Sequence, residues 1–216
     1  MVTHTPTTHK ARRLILIGAG GHGKVAADVA EICGFKDVAF LDQSYPERKK
    51  NGPWRIINNT TVIDDLTAKG SEFFLTVGNN KIRENLWREL KLLNFVQLIH
   101  PSTSISRYAT LNSGVLVVAG VVVNADTVIG RGTILNTACT IDHDCVIGDF
   151  VHISPGANIA GGCRIGDRSW VGIGASVKQG VTIGRDVIVG AGATVVCDIP
   201  DGLTVIGTPA KSTIEL

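Results

Sequence analysis

An aliphatic residue occupies every sixth position of the chain, without a break, between residues 105 and 195. The series has sixteen members: Ile105, Leu111, Val117, Val123, Ile129, Leu135, Ile141, Ile147, Ile153, Ile159, Ile165, Val171, Val177, Ile183, Val189 and Val195. A second series, four residues further on in each hexad, contains only small or β-branched side chains from Ala109 to Ile199. A helix cannot keep a period of six on one face, and a hairpin sheet has no reason to keep it over this length. A parallel β-helix of hexapeptide repeats does.

Three hexads would make one triangular coil, with the aliphatic residue of each hexad pointing inward and successive coils stacked at the strand spacing of ~4.8 Å. The alternative is a sandwich of short strands joined by turns at irregular intervals, which would require the six-residue register to slip somewhere. The register does not slip, and the pattern therefore favours the β-helix.

Composition changes near residue 100. Of 25 glycines, 17 follow Pro101, and the only aromatic residues there are Tyr108, Phe150 and Trp170. Narrow coils leave no room for rings inside, and glycine suits corners where φ is positive. We therefore expect a disordered tail at 1–12, a first domain at 13–100 and a β-helix at 101–216.

Charge and cysteine content exclude several classes of protein. The first hundred residues carry a local charge of +4 and the remainder −2, which is too weak to indicate binding to nucleic acid or an anionic membrane. The apolar run Leu14 to Ile17 is too short for a signal peptide, and no run approaches membrane-spanning length. An odd count of five cysteines indicates reduced thiols, no disulfide framework and a cytoplasmic protein.

The first domain opens with an aliphatic strand that runs into a glycine turn and then a helix at about 24–33. Gly18, Gly20 and Gly23 match G-x-G-x-x-G, in which the backbone approaches a phosphate at a helix N-terminus. A second strand is predicted at 38–41. Asp42 follows it, about twenty residues after the glycines, where an acidic group would meet a ribose. The alternative is a glycine turn kept only for packing the strand on the helix.

Further strands are predicted at 55–57, 73–77 and 96–99, and a helix at 80–93 with apolar positions Ile82, Leu86, Leu90 and Leu93. This first domain is long enough for only one half of a Rossmann-like dinucleotide fold. The functional prediction is a nucleotide or nucleotide-sugar pocket. An NAD-dependent oxidoreductase would need a second βαβ half and a catalytic domain.

Several motifs together resemble one family, and the resemblance covers residues 12–211. The motifs are Gly18-Ala-Gly-Gly-His-Gly-Lys24, Phe40-Leu-Asp42, Val77-Gly-Asn-Asn-Lys-Ile-Arg83, Leu98-Ile-His-Pro-Ser102, Asn136-Thr137 with Ile141-Asp-His-Asp-Cys-Val-Ile-Gly148 in the hexad array, and Gly207-Thr-Pro-Ala-Lys211. The chain is similar to the bacterial hexapeptide-repeat sugar acyltransferases, most of all to the N-acetyltransferases that act on a UDP-4-amino-6-deoxy sugar in bacillosamine synthesis. The resemblance implies a left-handed β-helix, a homotrimer, acetyl-CoA as donor and a nucleotide-sugar site in the first domain.

His143 is the candidate general base. Acetyl transfer to an amine needs a group that takes a proton from the attacking nitrogen, and donors that stabilise the tetrahedral oxyanion. His143 leaves the coil and lies between Asp142 and Asp144, either of which could hold the imidazole tautomer. The family has glutamate at these places and its base at His143. A lone exposed histidine that is simply solvated is the alternative.

The resemblance also implies roles for other residues. His152, Gly161, Gly172 and Gly190 would bind acetyl-CoA, with the Gly161 N–H facing the acetyl oxygen, while Gly18, Gly20, His22, Gly23, Asp42, Gly78 and Asn79 would bind the nucleotide sugar. His152 packed between coils under Trp170 is an equal alternative. No metal is expected, because Asp142, His143, Asp144 and Cys145 are consecutive and alternate in direction, so they cannot converge on one ion.

Three classes of function remain in competition. An acetyltransferase accounts for both domains, an NAD-dependent oxidoreductase accounts only for the glycine turn, and a non-catalytic β-solenoid leaves the first domain idle. Among acetyltransferases, a GDP-perosamine or dTDP-amino-sugar N-acetyltransferase and a sialic acid O-acetyltransferase stay open. A trimer is expected to bury outward valines such as Val118, Val122 and Val196.

Overall fold

The structure is a computed structural model that describes residues 12–90, 93 and 95–213. The tail predicted at 1–12 lies almost wholly outside these residues. Within the described part of the chain, no helix is long and apolar enough to cross a membrane.

The first domain is a twisted sheet with helices against it. The strands are β1 (Arg13–Ile17), β2 (Asp37–Leu41), β3 (Lys50–Asn51), β4 (Trp54–Asn58) and β5 (Glu72–Leu75), in the order β3-β4-β2-β1-β5 and parallel except for β3. The helices are α1 (Gly21–Ile32), α2 (Ile63–Ala68), which follows a 3-10 turn at Thr60–Val62, and α3 (Asn80–Glu89). Because β1 and β2 are hydrogen-bonded and parallel, their carboxyl ends at Ile17 and Leu41 meet at one edge.

Residues 98–213 form a triangular parallel β-helix whose three faces are sheets of two- and three-residue strands. The first face holds Leu98–Ile99, Leu116–Val117, Ile134–Leu135, His152–Ile153, Trp170–Val171, Ile188–Val189, Thr204–Ile206 and the antiparallel Lys211–Ser212. The second face holds Ser104–Ile105, Val122–Val123, Thr140–Ile141, Asn158–Ile159, Ser176–Val177 and Thr194–Val195. The third face holds Thr110–Leu111, Val128–Ile129, Val146–Ile147, Arg164–Ile165 and Thr182–Ile183.

The inward series predicted from the hexads forms the core of the β-helix. From Val117 to Val195 every aliphatic member of the series is buried, and only Ile105 and Leu111, at the open first coil, are partly buried. Cys139, Cys145 and Cys163 lie in this core with no exposed surface, and all five cysteines are unpaired. The β-helix prediction is therefore confirmed.

The first domain packs on the first face of the β-helix. Leu98, Leu116 and Ile134 point outward there, yet they are buried in one cluster with Ala26 and Ala30 of α1. The outward positions on this face become polar or aromatic in the next coils, at His152 and Trp170. His152 therefore stands where the contact of α1 with this face ends.

Several local predictions were wrong. Helix α1 begins at Gly21, three residues before the predicted start. The strand predicted at 96–99 covers only Leu98–Ile99, and it pairs with Leu116–Val117 as the first rung of the β-helix. In α3 the buried residue is Arg83, whereas Ile82 is 51% exposed. Val118, expected in a contact between subunits, is buried against the first domain of its own chain. Residues 91, 92 and 94 of the predicted helix and the loop after it lie outside the described part.

Candidate active site

The glycine turn is braced by three polar side chains. Asp42 Oδ2 accepts the Ala19 N–H at 2.6 Å, Arg48 donates to the Ala19 carbonyl at 2.7 Å, and Asn51 donates to the Gly20 carbonyl at 3.0 Å. The second Asp42 oxygen accepts the N–H and the hydroxyl of Ser44. Although partial burial raises it, these hydrogen bonds hold the pKa of Asp42 below its usual value. Asp42 is thus an ionised support of the turn.

The three glycines of the turn have different constraints. Gly18 has φ +107°, and a Cβ there would meet the Val77 side chain at 2.8 Å; a Cβ on Gly23 would meet the Gly18 carbonyl at 2.8 Å and the Phe40 ring at 2.9 Å. Gly20 has ordinary extended backbone, and a Cβ on it would meet no described atom within 4 Å. Packing therefore accounts for Gly18 and Gly23, and Gly20 faces open space at the start of α1.

A cavity of about 280 Å³ lies beside the turn, at the carboxyl ends of β1 and β2. Its lining is mostly apolar and includes Gly18, Asp42, Gln43, Thr60 and the exposed Ile82. Ligands of open α/β sheets bind outside the carboxyl ends of the strands. Gly78 and Asn79 follow β5 nearby, and the Asn79 side chain caps α3 by accepting the Ile82 N–H at 3.0 Å.

Two histidines meet where the first domain ends on the β-helix. The rings of His22, in the first turn of α1, and His152 are 6.1 Å apart between centroids, and His152 stacks on Trp170 at 5.7 Å with an interplanar angle of 2°. The Asn136 amide lies 3.1 Å from His152 Nε2, and Trp170 donates to Ser154 Oγ at 2.7 Å. His152 therefore packs under Trp170 and also lies at the junction with His22, and its contact with acetyl-CoA stays a prediction.

Both of these imidazoles are neutral at physiological pH. Burial, assisted by the charge of Arg83, lowers the pKa of His22 to about 4. Burial, with smaller contributions from His22 and Arg83, lowers the pKa of His152 to about 3. His22 Nε2 is buried without a hydrogen-bond partner among the described residues. A neutral ring with an open nitrogen is suited to a hydrogen bond with a ligand.

His143 lies at the corner between the second and third faces and has the opposite environment. Its Nδ1 is 2.6 Å from Asp144 Oδ2, and its side chain is 61% exposed. Asp142 Oδ1 instead accepts the Asn124 amide and the His143 backbone N–H. The Asp144 hydrogen bond, followed by the charge of Asp142, raises the pKa of His143. Asp144 is therefore the residue that holds the imidazole.

Gly161 lies directly against the His143 ring, one coil further on. A Cβ there would come within 2.7 Å of ring atoms Cε1 and Nε2. The neighbouring N–H groups of Ala160 and Gly162 donate to Val177 and His143 carbonyls, whereas the Gly161 N–H donates to no acceptor among the described residues. A residue with an unused backbone donor thus lies against the edge of the ring that is not held by Asp144.

Gly172 and Gly190 lie elsewhere, at the corner between the first and second faces. A Cβ on Gly172 would come within 2.7 Å of the Ala191 nitrogen of the next coil, and one on Gly190 would meet Ile206 at 2.7 Å. Coil stacking alone therefore requires glycine at both positions. The chain brings His143, Asp144 and Gly161 together at one corner and His22 with His152 on the opposite face of the triangle, so these two groups do not converge within one chain.

Sequence reasoning missed several residues of these groups. Asn136, Asn124 and Ser154 each bond to a candidate site residue or its stacking partner one coil or less away. The repeat of one coil could have found Asn124, which is eighteen residues before Asp142, whereas Asn136 and Ser154 are sixteen residues before their partners and lie just beside the paired position.

Solved structures of known proteins share this architecture. The chain is 41% identical to the acetyltransferase domain of PglB from Neisseria gonorrhoeae, solved in complex with acetyl coenzyme A, over 94% of this chain and 100% of that one, with a TM-score of 0.90. The chain belongs to the bacterial hexapeptide-repeat sugar acetyltransferases. Within that family, its residues 13–90 match the PglD N-terminal domain and residues 162–197 match the bacterial transferase hexapeptide (six repeats). Its β-helix is accordingly left-handed.

The names of two other members of this acetyltransferase family state a substrate. Perosamine N-acetyltransferase from Caulobacter crescentus, solved as a histidine-to-asparagine variant with CoA and GDP-perosamine, is 39% identical over 93% of this chain and 96% of that one, with a TM-score of 0.88. UDP-N-acetylbacillosamine N-acetyltransferase from Bacillus subtilis is 34% identical over 117 residues. That match spans 50% of this chain and only about half, 52%, of the relative.

The described residues of this acetyltransferase contain no evident metal centre. In the stretches that the structure describes, no three His, Cys, Asp or Glu side chains are grouped so as to hold an ion.

Proposed function

We propose that the protein transfers the acetyl group of acetyl-CoA to the 4-amino group of a UDP-4-amino-4,6-dideoxy-N-acetyl sugar. Membership of the acetyltransferase family supports the reaction, and the bacillosamine enzyme and the PglD-type first domain support this acceptor. The observation that carries the mechanism is the exposed His143, held by Asp144 at 2.6 Å and seated against Gly161.

The geometry supports direct transfer within a ternary complex. The sugar amine attacks the thioester carbonyl, neutral His143 Nε2 takes the proton that the nitrogen loses, and the imidazolium is stabilised by Asp144. The Gly161 N–H donates to the oxyanion of the tetrahedral intermediate. As that intermediate collapses, the carbon–sulfur bond breaks and CoA leaves as a thiolate that takes up a proton.

An acetyl-enzyme intermediate on a cysteine is disfavoured. The three cysteines of the β-helix core have no exposed surface. Burial raises the pKa of the Cys139 thiol to about 12, whereas the hydrogen bond with Cys145 lowers the pKa of Cys163 to about 7. A thiolate is the nucleophilic form of cysteine, but a sulfur with no exposed surface cannot reach a thioester, whatever its pKa. Double-reciprocal plots with both substrates varied should therefore intersect; parallel lines would rule out direct transfer.

We assign the first domain to the nucleotide sugar and the β-helix to acetyl-CoA. Support comes from the open face at Gly20, the cavity beside Asp42, and the neutral His22, whose Nε2 has no partner within the described chain. Gly78 and Asn79 follow Val77, which lines the same cavity. Gly172 and Gly190 remain proposed contacts of acetyl-CoA, although stacking already explains why they are glycines.

We further propose a homotrimer whose active site lies between subunits. The His143 corner is opposite the His152 face within one triangular coil, so the corner of one subunit must meet the face of another to build one site. Exposed apolar side chains on that face, Trp170 at 47% and Ile188 at 44%, would be covered in such a contact. Light scattering at micromolar concentration tests this assembly, and a fully active monomer would contradict it. We expect the enzyme in the cytoplasm.

A second candidate acceptor is GDP-perosamine, favoured by the similarity over nearly the whole chain to the Caulobacter enzyme. A panel of UDP-, GDP- and dTDP-linked 4-amino sugars, assayed for CoA release and for the acetylated product by mass spectrometry, decides between them. The UDP-linked 4-amino-6-deoxy sugar should give the highest kcat/KM. A preference for the GDP sugar would replace the first proposal with the second, and no turnover on any sugar would reject both.

A further inference from the structure

Arg83 is a buried cation that bonds to carbonyl groups. Only 1% of its surface is exposed, and among the described residues no carboxylate lies within salt-bridge distance. Burial lowers the pKa of its guanidinium to about 9, so the group still carries its charge at neutral pH. A buried charge is costly unless every donor is used. The position must therefore depend on what the guanidinium donates to.

Its donors bond to carbonyls of two separate parts of the chain. Nη1 donates to Val77 and Gly78 at 2.9 and 3.1 Å, in the loop before α3. Nε donates to Gly132 at 2.7 Å, and Nη2 to Phe150 at 2.9 Å and to Val151 at 3.3 Å, all in the β-helix. One side chain thus ties the Gly78–Asn79 loop to the residue that precedes His152.

Asn80 extends this connection to a third coil. It accepts a hydrogen bond from Arg83 Nη2 at 2.9 Å and donates to the carbonyls of Arg168 and Ser169 at 2.8 and 3.1 Å. Gly132, Phe150 and Arg168 are equivalent positions of successive coils, at the corner between the third and first faces. The first turn of α3 therefore bonds to three rungs in a row, and a shift of the loop by one rung would break all of these bonds.

We propose that Arg83, aided by Asn80, is a positioning residue that fixes the loop at Gly78 and Asn79 relative to His152, and so sets the geometry of the nucleotide-sugar half of the site. The inference rests on the proposed function. The planar five-donor fork suits this role in a way that a lysine or an apolar residue does not. Its charge also acts on the two neutral imidazoles. Among the described residues, the charged or titratable groups that face His22 are Arg83 and His152, and those that face His152 are Arg83 and His22.

The test compares Arg83→Lys, Arg83→Gln and Asn80→Ala with the control Arg88→Gln. Arg88 lies on the same helix, but its side chain is 71% exposed and pairs with Glu84. We expect Arg83→Lys to raise KM for the nucleotide sugar about tenfold to a hundredfold, since a shift of about 1 Å in a bound group can cost that much. Asn80→Ala should raise it severalfold, the affinity for acetyl-CoA should stay within about twofold, and the control should match wild type.

A second readout does not require turnover. Nuclear magnetic resonance titration of the histidine rings should show the pKa values of His22 and His152 higher in Arg83→Gln than in wild type, because a nearby positive charge has been removed. This readout judges the inference even if the wild type acetylates no sugar in the panel, which would reject the proposed function alone. If Arg83→Gln does not fold, Asn80→Ala supplies the kinetic test. Equal losses for sugar and acetyl-CoA, full activity in Arg83→Lys, or unchanged histidine titrations would overturn the inference.

Discussion

Histidine side chains have opposite environments at the His143 corner and at the His22–His152 junction. His143 is exposed and held by Asp144, and its pKa is raised; His22 and His152 are packed among rings and beside Arg83, and their pKa values fall to about 4 and 3. An exposed ring that a carboxylate holds by one nitrogen can accept and release a proton at the other during a reaction. Rings that never charge at neutral pH are suited to hydrogen bonding and packing. From this contrast we propose proton transfer for His143 and ligand binding for His22 and His152.

The largest expected effect comes from removing the base. His143→Ala should lower kcat by about 10²–10⁴, the usual contribution of a positioned base, with both KM values nearly unchanged. His143→Asn should be as poor, because an amide fills the space without accepting a proton. Steady-state kinetics of the purified enzyme check this, and His152→Asn provides the comparison, with an expected effect mainly on binding. A His143→Ala enzyme within a few-fold of wild type would remove His143 from the role.

The next largest effect distinguishes the role of Asp144 from that of Asp142. Asp144→Asn should lower kcat about tenfold to a hundredfold, because the ring loses the carboxylate that holds its tautomer and stabilises the imidazolium. Because Asp144 raises the pKa of His143, the pH at which the rate reaches half its plateau should move to lower pH in this variant. Wild-type rates should rise with pH through a midpoint above the ordinary histidine value of 6.5.

Asp142→Asn is the matched control for this pair. Asp142 touches the His143 backbone and Asn124 but not the ring, so kcat should fall only a few-fold and the midpoint should move less. Larger changes in Asp142→Asn than in Asp144→Asn would mean that the wrong carboxylate has been assigned.

A side chain introduced at the glycine turn should weaken binding of the nucleotide sugar by a factor similar to the loss of kcat in Asp144→Asn. Gly20→Val should raise KM for the nucleotide sugar about tenfold to a hundredfold, because its side chain would enter the open space at the start of α1 without touching the protein. Gly23→Ala should instead lower the melting temperature, since its Cβ would meet the Gly18 carbonyl and the Phe40 ring. Isothermal calorimetry and thermal unfolding separate the two results. Weakened binding of acetyl-CoA alone in Gly20→Val would invert the assignment of the two sites.

The smallest effect concerns stability in acid. The folded pKa values of His22 and His152 lie below the unfolded value of 6.5, so the unfolded chain binds more protons and stability falls as the pH drops from 6.5 towards 4. Each histidine should cost about 2 kcal/mol of unfolding free energy between pH 7 and pH 5. Urea denaturation across this range should show a smaller loss in His22→Gln. An equal loss in that variant would mean that the ring is charged when folded.

The hexad pattern predicted the β-helix closely and the site only in outline. Sixteen hexads define the inward positions because the covalent repeat is itself the geometry of the coil, and the predicted list matches the buried core. The strand at 98–99 was assigned to the wrong domain because a short aliphatic stretch pairs equally well with either sheet, and only the tertiary structure decides. Ile82 was predicted on the apolar face of the helix, yet it is exposed and Arg83 is buried. The reason is related: helical periodicity marks a face but does not show that a guanidinium will be buried against carbonyls.

The site residues divide in the same way. Asp144 could not be preferred to Asp142 from the sequence, since both flank His143 and the choice depends on the corner, where Asp144 adopts φ 59°. The separation of His152 from His143 follows from the number of hexads between them. Nine residues are one and a half hexads, which carries the chain from a corner to the face opposite. That step can be counted along the sequence alone, although only the paired strands show which face meets the first domain.

The outward residues of the first face repeat once per coil. Leu98, Leu116 and Ile134 lie in the coils packed beneath α1, and His152 lies one coil further on. The distance from α1 to His152 can therefore change only in steps of a whole coil. Duplicating one coil between Ile134 and His152 would preserve the inward stacking of the β-helix while moving His152 by ~4.8 Å away from His22. A coil added before His152 would therefore separate these two histidines, whereas one added beyond Gly190 would leave their junction unchanged.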